Sequence, residues 1–365
     1  MKPTARLHEL GQSLWLDNIT RPMLREGVLE GYIRDLSVTG LTSNPTIFDK
    51  AISGGEAYDE QIAELAPKAA SEGVGANDQE RIFFELALAD LRDAADLFAG
   101  VHRRTGGVDG FVSLEVSPLI ADDAAATIEE AKALHAKGER DNIYIKIPGT
   151  EAGREAIEES IFAGIPINVT LLFDDQQYLG SAEAYMRGIE RRIEAGLDPD
   201  VPSVASLFIS RWDVAVGEEV PESLVNRLGI AVGGRAYRAY RELLDSPRMQ
   251  RLMNEGARPQ RLLWASTGTK DPNASDTLYI EAFASPLTVN TMPEPTLLAF
   301  ADHGEVGDLF PPDGGNAEAV LKEFEEAGID VAALAARLQE EGKESFNKSW
   351  QDLLGSIESQ VAATA

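Results

Sequence analysis

The stretch Asn142-Ile143-Tyr144-Ile145-Lys146-Ile147-Pro148-Gly149-Thr150 decides the fold when it is read together with residues 151–171. Isoleucines at every second position read as a strand, Pro148-Gly149 ends it, and Thr150 caps a helical pattern that stops before Gly164. A further apolar run over residues 165–171 comes next. Two strands joined by one helix run parallel, because the helix carries the chain back to the end of the sheet where the first strand began. With a side-chain period of two, Ile143, Ile145 and Ile147 share one face and Tyr144 and Lys146 the other.

Outward from this unit the same rhythm recurs. Candidate strands are residues 13–19, 40–42, 110–116, 143–147, 165–171, 201–208, 261–265 and 285–289. Helical signals fill the gaps: Asn77 with Glu80 and Asp174 with Gln177 each have the spacing of a capped start, and a helix over 121–137 closes at Gly138. Eight strand–helix units predict an α/β fold of the (β/α)8 TIM barrel type. An open doubly wound sheet finds no Gly-rich phosphate loop in its favour, and Gly233-Gly234 and Gly314-Gly315 read as turns. One domain of residues 1–365 is expected, with a helical insertion at 49–107 after the second strand and a helical tail at 316–365. The tail's Leu321, Phe324, Leu334, Phe346, Trp350 and Leu354 require a surface, which the barrel supplies most simply.

Composition narrows the partners. Of 365 residues, 33 are Lys or Arg and 61 Asp or Glu, a formal charge of −28 that repels nucleic acid and anionic lipid. A site for a small phosphorylated molecule must therefore gather its few basic groups locally, which draws attention to Arg211 and Lys270. The absence of cysteine excludes disulfides, thiolate catalysis and cysteinyl metal sites. No run approaches the 18 or so apolar residues of a membrane span, and residues 1–11 carry no apolar signal core, so a cytoplasmic location is expected. Asn18-Ile19-Thr20 and Asn168-Val169-Thr170 match the glycosylation acceptor pattern by chance on that reading. The barrel's outer helices look alike whether they face water or a second copy, which leaves a homodimer open.

Lys146 interrupts an apolar strand and points inward. Taking an ammonium out of water is costly, and the neutral amine is the form that attacks a carbonyl to make a Schiff base. A lysine paired with an inward carboxylate explains the residue equally well. Other strand ends break the apolar pattern too, at Asp17, Asn44, Glu115, Asn168 with Thr170, and Ser206 with Arg211. Each alone reads as a cap or a core hydrogen bond. Together they favour a pocket, because every inward polar group without a partner costs about 1–3 kcal/mol. The four histidines have no paired spacing, so neither a metal site nor a Ser-His-Asp triad is visible. Asp17 and Glu115 could form a glycosidase pair, but that leaves Lys146 without a role.

The segments Leu14-Trp15-Leu16-Asp17, Gly40-Leu41-Thr42-Ser43-Asn44-Pro45-Thr46, the Glu115 and Lys146 strands and Asn168-Val169-Thr170 together resemble transaldolase, in order and in spacing, from about Leu14 to Asp302. Trp264-Ala265-Ser266-Thr267-Gly268-Thr269-Lys270 and Val289-Asn290-Thr291-Met292-Pro293-Glu294 are similar to its longer, actinobacterial-type branch. The resemblance implies transfer of a dihydroxyacetone unit from sedoheptulose 7-phosphate to glyceraldehyde 3-phosphate, with no metal or organic cofactor. It implies Lys146 as the nucleophile, Glu115 with Thr170 as a proton shuttle through a water, and Asp17 as the base at the C4 hydroxyl. Asn44 and Asn168 would bind donor hydroxyls, Thr42 would line the same subsite, and Ser206 with Phe208 would shape the C1 end. Arg211 and Ser266 match phosphate-binding positions. The family's second phosphate arginine is absent, and Lys270 is its expected replacement. The rivals are a Schiff-base aldolase that releases its three-carbon unit, and a non-catalytic barrel that binds a sugar phosphate.

Overall fold

A computed structural model describes residues 1–67 and 73–364. Eight parallel strands close into a barrel in sequence order: β1 (Ser13–Asp17), β2 (Val38–Thr42), β3 (Val112–Glu115), β4 (Ile143–Pro148), β5 (Ile167–Leu172), β6 (Ser203–Phe208), β7 (Arg261–Ala265) and β8 (Val289–Met292). Helices cover the outside, so the predicted (β/α)8 barrel is the fold this chain adopts. On β4, Ile143, Ile145 and Ile147 are fully buried against the helical layer, while Tyr144 and Lys146 enter the barrel. Gly40 on β2 is required by that interior: a Cβ there would lie 2.5 Å from the Trp15 ring.

Register does the positioning. Glu115 of β3 pairs with Lys146 of β4, Lys146 with Asn168 of β5, and Pro148 with Thr170. On the other side of the barrel Asp17 pairs with Thr42, and Trp15 with Thr291. These polar residues thereby meet at the carboxyl ends of the strands, where barrels of this kind place their chemistry.

Three expectations need correction. The eighth strand is Val289–Met292, not 285–289. Pro286 has no N–H to give a ladder, Leu287 has φ +64°, and Thr288 Oγ1 donates to Ser285 O at 2.8 Å, so this segment is a turn. The strand after it is half polar and escapes a hydrophobic reading. Gly233-Gly234 lies inside helix Leu228–Leu244. Their missing side chains admit close packing, since a Cβ at Gly233 would sit 2.4 Å from Phe283 and one at Gly234 2.9 Å from Ala317. The helix expected over 121–137 runs Ala124–Gly138, starts on an Asp123 cap that accepts from Ala126 N at 3.0 Å, and ends with Glu139 in the left-handed region. Gly314-Gly315 does turn the chain, with φ +81° and +57°.

Residues 49–107 contain most of helix Pro45–Ser53 together with helices Asp59–Leu65 and Asp78–Arg104; positions 68–72 of that stretch, like residue 365 of the tail, lie outside the described residues. Asn77 caps the long helix by accepting from Glu80 N at 2.9 Å, and Asp174 does the same for Gln177 N at 2.8 Å. The tail forms helices Ala317–Glu326 and Val331–Thr364. Trp350 of the last helix packs against Phe83 and Phe84, ring centroids 4.9 and 5.6 Å away, and its indole N–H donates to Glu80 at 3.1 Å. Among the described residues no helix is long and apolar enough to cross a membrane.

Candidate active site

A cavity of about 130 Å³ opens at the carboxyl ends of the strands. Asp17, Thr42, Asn44, Lys146, Thr170, Ser206, Phe208, Arg211, Ser266 and Lys270, all singled out in the sequence, line it. Lys146 is 5% exposed, its Nζ donates to Ser43 O at 3.0 Å and stands 3.3 Å from Glu115 Oε2. That last contact is an ion pair without hydrogen-bond alignment, since neither Glu115 oxygen has a hydrogen-bond partner among the described residues. Glu115 is 3% exposed and lies behind the lysine rather than on the cavity wall. Burial pushes its carboxyl above the usual range, against the pull of Lys146, and the nearby Asp17 adds to the rise.

Asp17 at the end of β1 is likewise raised, first by burial, with Lys146, the Thr42 hydroxyl and Lys270 opposing. Thr42 Oγ1 lies 2.7 Å from Asp17 Oδ1 and 2.6 Å from Thr291 Oγ1. Thr170 is fully buried, and its hydroxyl also lacks a partner among the described residues. Asn44 uses its side-chain oxygen to accept from Ile47 N at 3.0 Å, capping the next helix, which leaves its amide nitrogen for the cavity.

Asn168 is placed differently from the expectation of a residue touching substrate. It is fully buried and does not line the cavity. Its Nδ2 donates to Ser113 Oγ at 3.1 Å, and its Oδ1 accepts from Ser206 Oγ at 2.7 Å, so it braces Ser206 from below. On the cavity wall Arg211 makes no ion pair among the described residues and packs its guanidinium 5.1 Å from the Phe208 ring and 5.8 Å from Phe346. Burial lowers its pKa, while Glu115 and Glu341 pull the other way. Ser266, with φ +54°, meets Ser210 Oγ at 2.9 Å, and Lys270 completes this basic corner.

Sequence reasoning missed Ser43, Thr291, Pro293 and the siting of Phe346. Thr291 lies beyond the strand expected over 285–289, in the observed β8. Phe346 showed only as one apolar position in an amphipathic tail, and nothing local says that it reaches the cavity. Among the described residues no group of three or more His, Asp or Glu could hold a metal ion.

A closed parallel barrel with a buried lysine and two raised carboxyls at the carboxyl ends of its strands defines a (β/α)8-barrel enzyme. The chain matches, over residues 14–357, the family model described as Transaldolase/Fructose-6-phosphate aldolase. A protein named Transaldolase from Parafrankia sp. (strain EAN1pec) is 44% identical over 373 residues, covering 100% of this chain and 99% of that relative. One of the same name from Frankia alni is 42% identical over 368 residues, covering 98% and 97%, and Transaldolase 2 of Streptomyces coelicolor is 42% identical over 369 residues, covering 99% and 97%. The chain belongs to the transaldolase family, whose members are transferases of aldehyde and ketone residues acting on sugar phosphates.

Proposed function

We propose that the chain transfers a dihydroxyacetone unit from sedoheptulose 7-phosphate to glyceraldehyde 3-phosphate, giving erythrose 4-phosphate and fructose 6-phosphate, through a Schiff base on Lys146. The observation that carries this reading is the Lys146 amine, buried on the cavity wall at 3.3 Å from a carboxyl raised by burial.

The amine adds to the ketose C2, and loss of water gives an iminium. Glu115, whose carboxyl burial pushes above the usual range, donates the proton that expels this water and takes one back when the bond is later hydrolysed. The unpartnered Glu115 oxygens and Thr170 hydroxyl support a bridging water between them. Asp17, as carboxylate, removes the C4 hydroxyl proton; the C3–C4 bond breaks, its electrons enter the iminium, and erythrose 4-phosphate leaves. The enamine carbon C3 then attacks the acceptor aldehyde, whose new alkoxide takes the proton back from Asp17. Asn44 and Thr42 bind donor hydroxyls, Ser206 and Phe208 shape the C1 end with Asn168 behind them, and Arg211, Ser266 and Lys270 hold the phosphate.

Arg211 suits that last role because a guanidinium fork matches phosphate oxygens. The tail, through Trp350 and Phe346, belongs to the same domain on this reading, and a charge of −28 without cysteine fits a reducing cytoplasm. Borohydride reduction in the presence of fructose 6-phosphate, with peptide mass analysis of the product, tests the proposal. A three-carbon or six-carbon adduct on Lys146 that Lys146→Met abolishes is expected; a clean negative beside a labelled control enzyme overturns it. With sedoheptulose 7-phosphate as donor, release of erythrose 4-phosphate beyond one equivalent per chain that depends on the acceptor separates transfer from simple cleavage.

A further inference from the structure

The barrel holds a second cavity at its other end, about 530 Å³ in volume and sharing no lining residue with the first. The amino ends of β1, β6 and β7 rim it at Ser13, Ser203 and Arg261, and Tyr144 of β4 forms its floor. Between the two cavities lies an aromatic layer in which Phe111 stacks on Tyr144 at 4.1 Å and Trp15 stands 6.0 Å from the same ring. The amino-terminal mouth of such a barrel usually serves stability alone. Here it has the volume of a small-molecule site.

Some of its polar groups keep bonding capacity in reserve. Tyr144 is 2% exposed, and its hydroxyl makes no hydrogen bond among the described residues although it borders the cavity. That hydroxyl opens on the cavity rather than into the core, where it is placed to bond a bound molecule. Arg241 Nε and Arg258 Nη1 are buried at the same cavity and also lack partners among the described residues. Arg258 is balanced by Asp200, with Nη2 donating to Oδ2 at 2.7 Å. Among the described residues Arg241 and Arg261 form no ion pair: Arg241 Nη1 donates to the Tyr237 hydroxyl at 3.1 Å, and Arg261 donates from Nη2 to Ser13 Oγ at 2.6 Å and to Thr288 O at 2.9 Å and from Nη1 to Val108 O at 3.2 Å. Of the acids at this mouth, Asp109 accepts from Trp15 Nε1 at 2.7 Å and from Gly110 N at 3.1 Å, and Asp245 faces solvent. The walls between these groups are apolar, built from Leu244, Met253 and Leu287.

We propose that this amino-terminal mouth binds an amphiphilic anion, one carboxylate- or phosphate-like head on a flat apolar body, with the head between Arg241 and Arg258 and a polar edge on the Tyr144 hydroxyl. A free sugar phosphate would leave the apolar wall of Leu244, Met253 and Leu287 uncovered. The site is independent of the Schiff-base reading of the other end.

The probe is 8-anilinonaphthalene-1-sulfonate, titrated by fluorescence into the intact protein. One saturable site per chain is expected, unaffected by fructose 6-phosphate. Arg241→Gln is expected to weaken it about tenfold and Tyr144→Phe about threefold, as loss of a charged and of a neutral hydrogen bond requires. Leu244→Trp is expected to abolish binding by filling the space. Arg241→Gln touches no catalytic group, so its unchanged turnover verifies the fold. Competition by 2-naphthoate against 1-naphthyl phosphate then tells which head the arginines take. Binding that does not saturate, that ignores both Arg241→Gln and Leu244→Trp, or that fructose 6-phosphate displaces overturns the proposal.

Discussion

Thr42 Oγ1 stands 2.7 Å from Asp17 Oδ1 and 2.6 Å from Thr291 Oγ1, so one hydroxyl bridges the carboxyl and a second hydroxyl. A hydroxyl has one hydrogen. When Asp17 is ionised Thr42 gives that hydrogen to the carboxylate and must accept from Thr291, so a short chain of hydroxyls from β2 and β8 stabilises the charged form of the proposed base. Burial works against that form and holds the Asp17 pKa above the ordinary carboxylate value.

The acidic limb of the kcat profile reflects this balance. Asp17 must be ionised to take the C4 hydroxyl proton, so activity rises with pH through its folded pKa. Thr42→Val removes a hydrogen bond that lowers this pKa, and the limb is expected to move upward by about half to one pH unit. Thr291→Val leaves the Thr42–Asp17 bond intact and should move it less. A limb that stays in place in Thr42→Val shows that Asp17 does not control it.

Glu130 offers a stability test away from the cavity. Burial raises its carboxyl to about 7, opposed by a hydrogen bond from Ser117 N at 2.5 Å and reinforced by Glu80. Because the folded pKa exceeds the unfolded one, the folded state binds more protons between about 4.5 and 7, and stability falls as pH rises through that window. Glu130→Gln keeps the acceptor for Ser117 N and removes the charge. Its melting temperature should exceed that of the parent at pH 8, a gain worth up to about 3 kcal/mol of stability, and match it near pH 4. A gain that is equal at both pH values contradicts the titration of Glu130.

The basic corner predicts a split between substrates. Arg211→Gln and Lys270→Ala should each raise KM for fructose 6-phosphate about tenfold or more, the usual loss for one charged hydrogen bond, while unphosphorylated fructose loses little. If Lys270→Ala changes neither, Lys270 is a solvated loop residue and Arg211 binds phosphate without it.

The barrel was legible because its signals are local. The β4 strand carries its own period of two, several helices carry their own cap, and Asn77, Thr150 and Asp174 make the caps their spacing predicts. Lys146, Asp17 and Glu115 stood out for the same reason, as polar residues where a buried strand end should be apolar. The features that escaped depend on distant packing. The Gly233-Gly234 pair reads as a turn until Phe283 and Ala317 arrive to fill the space above it. Asn168 reads as a ligand for substrate until Ser113 and Ser206 occupy both ends of its amide. The second cavity has no sequence signature, because its arginines and its tyrosine come from separate elements.

The last helix raises a question that only kinetics answers, whether it merely covers the barrel or shapes the cavity. Two of its side chains act at different places. Gln339 Nε2 donates to Leu171 O at 2.9 Å, holding a residue with φ +57° directly after Thr170, a conformation that costs leucine about 1–2 kcal/mol. Phe346 instead lies over the Arg211 guanidinium on the cavity wall. Gln339→Leu should therefore let the end of β5 relax and lower kcat about fivefold with KM nearly unchanged, the loss of one hydrogen bond to a backbone carbonyl. Phe346→Ala should leave kcat near the parent value and raise KM for phosphorylated substrates about threefold, in line with a partly exposed cation–π contact. Both variants should melt as single transitions. If both change kcat and KM in parallel with their melting temperatures, the helix is a cover that stabilises the barrel and positions nothing.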